Sequence, residues 1–97
     1  MERRLAKFVF APKTKEDHLI QLPTGAKTLG VGYSGGASLQ LLVELPTGDF
    51  SIERSPEMQT RSFRRFGVGD VVPSSYKYVG HARVGPDWVF IYERVKP

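Results

Sequence analysis

The sequence contains no cysteine, only two histidines and no long run of apolar residues. Without cysteine the chain has neither a disulfide framework nor a thiolate metal site, which fits a reducing compartment. Two histidines and scattered acids make no metal signature, and we expect neither a metal nor a cofactor. No segment approaches the ~18 apolar residues of a membrane span, and the N-terminal apolar run is too short for a secretory signal. We therefore expect a cytoplasmic protein that does not contact a membrane.

The composition is that of one small globular domain. Of the 97 residues, 40% are hydrophobic and 25% are charged. A chain of this length buries enough surface for a single core and has little to spare for a second. We therefore expect one β-rich domain over residues 1–97, with residues 1–6 flexible.

Charge is distributed unevenly along the chain, whose net charge is +4. Residues 1–27 carry six basic and three acidic side chains, and residues 61–97 carry seven and three. Residues 28–60 carry one basic and four acidic side chains. This division suits attraction of an anionic partner, self-association between opposite patches, or a solvated surface of mixed sign.

Apolar and polar residues alternate along much of the chain, whereas no apolar stripe with helical spacing extends over three turns. The clearest hairpin joins strands at 28–33 and 39–45 through a Ser-Gly-Gly turn. Further strands are predicted at 7–11, 18–22, 60–66, 76–84 and 87–95, and a single helical turn at 55–59. The pattern predicts an all-β fold: a small antiparallel β-sandwich or partly open barrel of six to seven strands, with at most one helical turn.

The last predicted strand is apolar on both faces. Trp88, Phe90 and Tyr92 share one face, and Val89 and Ile91 share the other. Such strands usually lie in the middle of a sandwich or under an oligomer contact. We therefore expect a homo-oligomer whose interface includes Trp88, Phe90 and Tyr92.

The segment RSFRRFGVGD, residues 61–70, mixes arginine and phenylalanine before a glycine-rich loop. On a strand, one face would carry Arg61, Phe63 and Arg65, and the other Ser62, Arg64 and Phe66. Because neither face is purely apolar, we expect an edge strand, or a bulge near Arg64 and Arg65.

The same segment is also a candidate anion site. Arginine presents forked donors to phosphate, and the Gly67-Val68-Gly69 backbone could form a concave nest of N–H groups. No helix is predicted after this loop, so neither the P-loop nor the dinucleotide fingerprint fits. The candidate ligand-binding residues are Arg61, Arg64, Arg65, Gly67, Gly69, Tyr78 and His81.

Two other classes of function were weighed against simple binding. Nucleic-acid binding needs basic and aromatic side chains on one exposed sheet face, and Arg61, Phe63, Arg65, Tyr76 and Tyr78 would supply it if they lay together. Catalysis finds little support, because the histidines and serines lack any nucleophile-elbow context. We therefore expect a protein that is not an enzyme.

A resemblance to a known family rests on three segments, HLIQLPTGAKTLGVGYSGG, RSFRRFGVGD and YKYVGHARVGPDWVFIYE. They are similar to small uncharacterised proteins of bacteria and their phages, a domain of unknown function with the pattern LPxGAxxLxV, then RxFxxxGTGH, then YVG and a closing aromatic strand. The similarity covers roughly residues 18–93, with Val68 and Asp70 where threonine and histidine are usual. It implies a phage or prophage context, hence the host cytoplasm, and contributes no known activity.

Taken together, these features predict a non-enzymatic binding or interaction module, phage- or prophage-encoded and self-associating. It would capture a host protein or a small anionic ligand. The alternative is a nucleic-acid-binding β domain that uses an arginine–aromatic face.

Overall fold

The computed structural model describes residues 3–46 and 57–95, which form seven strands in two antiparallel sheets. The strands are β1 (Arg3–Phe10), β2 (Asp17–Pro23), β3 (Lys27–Gly35), β4 (Ser38–Pro46), β5 (Met58–Gly67), β6 (Tyr76–Val84) and β7 (Asp87–Arg94). The three-stranded sheet has the order β1-β4-β3, and the four-stranded sheet the order β2-β5-β7-β6. The described residues include no helix, so the prediction of a small all-β sandwich is confirmed. In particular, no helix among them is long and apolar enough to cross a membrane.

The core lies between the two sheets and is built from alternate residues of each strand. Leu39, Leu41 and Val43 of β4 are fully buried on one side, and Phe63 of β5 and Ile91 of β7 are fully buried on the other. Successive side chains of a strand point to opposite faces, so each of these strands also presents an outer face.

The predicted hairpin of β3 and β4 is confirmed, but its alternation is interrupted. Thr28 pairs with Val43 while Gly30 pairs with Leu42, so Leu29 is the extra residue of a β-bulge. Because of the bulge, Thr28 and Val31 lie on the same face of β3, and Leu29 is exposed. Strict alternation over residues 28–33 would put Leu29 on the same face as Val31, and the bulge prevents this.

β5 lies inside its sheet, between β2 and β7, with no register shift in either ladder. The predicted edge strand or bulge is therefore wrong, although the predicted faces of residues 61–66 agree with the unbroken alternation. The reason is that the sheet supplies partners for the arginines. Glu93 binds Arg61 on the inner face, and Asp17 binds Arg64 on the outer face.

Two further expectations differ from the structure near the chain's start and middle. Residues 3–6, expected to be flexible, lie in β1, where pairing with residues 43–46 of β4 satisfies their backbone. The helical turn expected at 55–59 begins outside the described residues, and Met58 already belongs to β5. The final strand, β7, does lie in the interior of its sheet.

The sheets touch where β6 passes β3, and a glycine permits this contact. A Cβ atom on Gly80 would lie 2.7 Å from the backbone nitrogen of Val31 and 3.1 Å from the Cα and carbonyl carbon of Gly30. Only a residue without a side chain fits between the two backbones. This contact brings the beginnings of β3 and β6 to the same end of the sandwich.

Candidate anion-binding cleft and aromatic face

An open cleft of about 760 Å³ lies at this end of the sandwich, between the beginnings of β3, β5 and β6 and the end of β7. The charged residues that border it are four basic ones, Lys27, Arg61, Lys77 and Arg94, and one acidic one, Glu93. Tyr78 also borders it. We call this the basic cleft. Its excess of positive charge favours anions.

Glu93 is the acidic residue of the cleft, and its carboxylate is bound by Arg61. The Arg61 Nε and Nη2 atoms donate to the two carboxylate oxygens at 2.5 and 2.6 Å, and Nη1 donates to the carbonyl of Ala26 at 2.6 Å. The side chains of Arg61 and Glu93 are only 14% and 13% exposed. This bidentate ion pair forms the floor of the cleft.

The lysines of the cleft are exposed, and neither forms an ion pair with any residue in 3–46 or 57–95. Lys27 is the first residue of β3, and Lys77 is the second residue of β6. Two like charges on one cleft repel each other, and an anion bound between them would relieve that repulsion.

The outer face of the four-stranded sheet carries a tightly bonded cluster around Asp17. Its Oδ1 atom accepts hydrogen bonds from the Tyr76 hydroxyl and from Arg64 Nε, each at 2.7 Å, and Oδ2 accepts one from Arg94 Nη1 at 3.3 Å. The Tyr76 ring lies 5.1 Å from the Arg64 guanidinium and 5.9 Å from that of Arg94. These bonds tie β2, β5, β6 and β7 together.

This cluster shifts two pKa values. Burial alone would raise the pKa of Asp17, but hydrogen bonds from Tyr76 and Arg64, with the Arg64 charge, outweigh it and lower that pKa. The pKa of Tyr76 is raised by burial, by its hydrogen bond to Asp17 and by the negative charge of that carboxylate.

Acid should therefore destabilise the protein partly through Asp17. Because its pKa is lower in the folded chain than its ordinary 3.8, the ionised carboxylate stabilises the fold above that value, and this stabilisation is lost as pH falls through the folded-state pKa. We expect Asp17→Asn to flatten the decline in urea midpoint below about pH 4. Glu16→Gln, an exposed change of equal charge, is the control. Parallel pH profiles of wild type and Asp17→Asn would contradict this assignment.

The same outer face continues into a set of more accessible rings, which we call the aromatic row: Tyr78, His81, Trp88, Phe90 and Tyr92. The ring centroids of neighbouring members are 5.6 to 6.1 Å apart, as in the contacts of Tyr78 with Tyr92 at 5.6 Å and of His81 with Trp88 at 5.7 Å. Tyr78 is 48% exposed and Trp88 is 46% exposed. The row is an accessible π surface beside the basic cleft.

A bulge in β6 builds one half of this row. Tyr78 pairs with Tyr92 and Gly80 with Ile91, so Val79 is the extra residue. Without the bulge, residues 78 and 81 would point to opposite faces. With it, the rings of Tyr78 and His81 stack at 6.1 Å, and the Tyr78 hydroxyl bonds His81 Nδ1.

The glycine-rich loop after β5 is a tight turn closed by its own acid. The Gly67 N–H donates to Asp70 Oδ2 at 2.7 Å, and the Asp70 N–H donates to the Gly67 carbonyl at 3.1 Å. Gly69 has a positive φ of 92°, which favours glycine. The Asp70 carboxylate thus takes the Gly67 N–H that an external anion would need.

The residues predicted as one ligand site are spread over five parts of the structure. Arg61 and Tyr78 border the basic cleft, whereas Arg65 and Gly67 line a smaller cleft of about 350 Å³. Arg64 lies in the Asp17 cluster and His81 in the aromatic row, and Gly69 lies in the turn. The predicted interface residues Trp88, Phe90 and Tyr92 do share the aromatic row.

The nucleic-acid set named from the sequence does not lie together. Arg61, Phe63 and Arg65 face inward, while Tyr76 and Tyr78 face outward. The structure instead groups Lys27, Lys77 and Arg94 at the cleft, which sequence reasoning missed. The concentration of positive charge at the two ends of the chain was the available signal. This distribution along the chain indicated that positive charge is in excess, but it did not indicate where that charge lies on the folded structure.

Comparisons with protein-family models, with curated proteins and with solved structures found no match for this chain. The resemblance to the phage-associated family therefore stays a prediction. Within residues 3–46 and 57–95, no group of three or more histidine, aspartate or glutamate side chains is placed to hold a metal ion.

Proposed function

We propose that this chain is a non-enzymatic binding domain and that the basic cleft holds an anionic ligand. The observation that carries this proposal is that four basic residues border one cleft, and that its single acidic residue, Glu93, is already bound by Arg61. Lys27 and Lys77 supply the donors at the rim, and the Arg61–Glu93 pair at the floor leaves the Glu93 carboxylate compensated. A phosphate or polyphosphate group fits this arrangement, because ammonium and guanidinium donors bind its oxygens strongly.

The test compares two double variants of equal charge. Lys27→Gln with Lys77→Gln removes the rim cations, whereas Lys7→Gln with Lys15→Gln removes two exposed cations outside the cleft. Titration calorimetry with inorganic polyphosphate should show about a tenfold weaker affinity for the cleft variant, since each lost charge-assisted hydrogen bond costs about 1.5 kcal/mol or less when exposed. The control should stay within about twofold. Equal losses in both variants would reduce the effect to net charge and refute the cleft.

Self-association through Trp88, Phe90 and Tyr92, in a phage or prophage setting, stays a prediction. Its measurement is light scattering of the wild type and of Trp88→Ala over a range of protein concentrations. A monomer at every concentration would refute it.

A further inference from the structure

The basic cleft and the aromatic row share a residue. Tyr78 borders the cleft and also contacts Tyr92 and His81 in the row. We infer that the cleft and the row form one continuous track that binds single-stranded nucleic acid, with phosphates at the cleft and bases on the rings. This inference rests on the proposed anion-binding function and names the class of ligand.

The rings suit unpaired bases. Every base has a π face that stacks on an aromatic side chain whatever its identity, and such stacking is sequence-tolerant. Tyr78 and Trp88, each about half exposed, lie at the two ends of the row, with His81 between them in contact with both. Phe90 and Tyr92 are less exposed and pack against these rings, Phe90 against His81 and Tyr92 against Tyr78.

Cations lie along the whole track. Lys27 and Lys77 stand at the cleft, and the Arg83 guanidinium lies 5.8 Å from the ring centroid of Trp88 at the other end of the row. The carboxylates of Asp70 and Asp87 lie beyond Trp88, in the smaller cleft. Their negative charge repels phosphate, so the track runs from the lysines to Trp88 and ends there.

An unpaired strand fits this surface better than a duplex or a second copy of the chain. A duplex conceals the faces of its bases, and reading its grooves requires an inserted helix or ribbon, whereas the aromatic row lies flat on a sheet. A second copy of the chain would carry the same net charge of +4, and two copies of like charge repel each other. A polyanion has the complementary charge.

The experiment measures the fluorescence anisotropy of labelled oligothymidylate and oligouridylate, with inorganic polyphosphate and a duplex as competitors. Tyr78→Ala is matched by Tyr33→Ala, because Tyr33 is 49% exposed but lies on the three-stranded sheet. We expect Tyr78→Ala and Trp88→Ala to weaken oligonucleotide binding about tenfold each, and Tyr33→Ala to leave it unchanged. Tyr78→Phe, which keeps the ring, should bind as the wild type does and shows that folding is not the cause.

The salt dependence of the affinity distinguishes the contribution of the basic cleft from that of the aromatic row. For a single strand, the logarithm of affinity falls with the logarithm of salt concentration by about 0.7 for each phosphate neutralised. Lys27→Gln with Lys77→Gln should therefore lower this slope by about 1.4 and weaken polyphosphate as well. Tyr78→Ala and Trp88→Ala should leave the slope and the polyphosphate affinity unchanged.

Each other outcome overturns part of the assignment. Polyphosphate competing as well as the oligonucleotide, with Tyr78→Ala without effect, would refute the stacking track and leave the anion-binding cleft standing. Failure of both probes to bind would refute both proposals. Equal affinity for the duplex would refute the preference for single strands. A stable dimer that buries Trp88, shown by light scattering and by protection of tryptophan fluorescence from a soluble quencher, would replace nucleic acid by a second copy.

Discussion

Removing one partner of the Arg61–Glu93 pair is expected to destabilise the fold more than any change to an exposed charge. Glu93→Ala should lower the free energy of unfolding by about 2–4 kcal/mol, because it leaves the guanidinium of Arg61 largely buried beside a single remaining acceptor, the Ala26 carbonyl. The range lies below that of fully buried pairs because both side chains retain some contact with water. Urea unfolding followed by circular dichroism measures it.

A double variant tests whether stability depends on the ion pair itself or on the volume that its two side chains fill. Arg61→Met with Glu93→Leu removes both charges and keeps apolar volume, so its loss should be smaller than that of Glu93→Ala alone. The Arg3–Glu44 pair, at 3.2 Å and with the arginine side chain 68% exposed, provides the control, and Arg3→Ala should cost less than about 0.5 kcal/mol. A loss for Glu93→Ala no larger than that for Arg3→Ala would contradict the buried pair.

Gly80→Ala is expected to cost about 1–3 kcal/mol by overpacking the contact between the two sheets. The new Cβ would lie 2.7 Å from the Val31 nitrogen, and its three nearest neighbours are backbone atoms that cannot rotate away. The sheets must separate locally, which also displaces the beginnings of β3 and β6. We therefore expect Gly80→Ala to weaken polyphosphate binding at the basic cleft in addition to lowering the urea midpoint.

Gly30→Ala is the matched control for that prediction. Gly30 belongs to the same contact, but a Cβ atom built on it has no neighbour within 4 Å. The free energy of unfolding of Gly30→Ala should lie within about 0.5 kcal/mol of that of the wild type. If both alanine variants are equally stable, the close approach of β6 to β3 is not as described.

The residues of β5 show how far alternation predicts this fold. Period two correctly assigned Arg61 and Phe63 to one face and Arg64 and Phe66 to the other. The same pattern wrongly suggested an edge strand, because arginines on both faces of a strand look unsatisfiable without their partners. Glu93 lies 32 residues away in the sequence and Asp17 lies 47 away. A pattern of neighbouring residues contains no information about either.

The candidate site was less predictable than the fold. The basic cleft combines Lys27, Arg61, Lys77 and Arg94 from four different strands, and its composition depends on strand order. The aromatic row depends on a bulge at Val79, and no rule of alternation locates a single extra residue. The prediction for Trp88, Phe90 and Tyr92 succeeded in grouping them because all three lie on one strand.

The sequence by itself determined the all-β class, the hairpin of β3 and β4, and the two faces of β5 and β7. These are local properties, since side-chain alternation and glycine turns depend only on neighbouring residues. The tertiary structure alone decided the order β2-β5-β7-β6 and the pairing of the inward Arg61 with Glu93. It also decided that the basic cleft and the aromatic row share Tyr78. Those features arise from pairing between distant strands, where register and packing of the whole chain select one arrangement among many with the same local pattern.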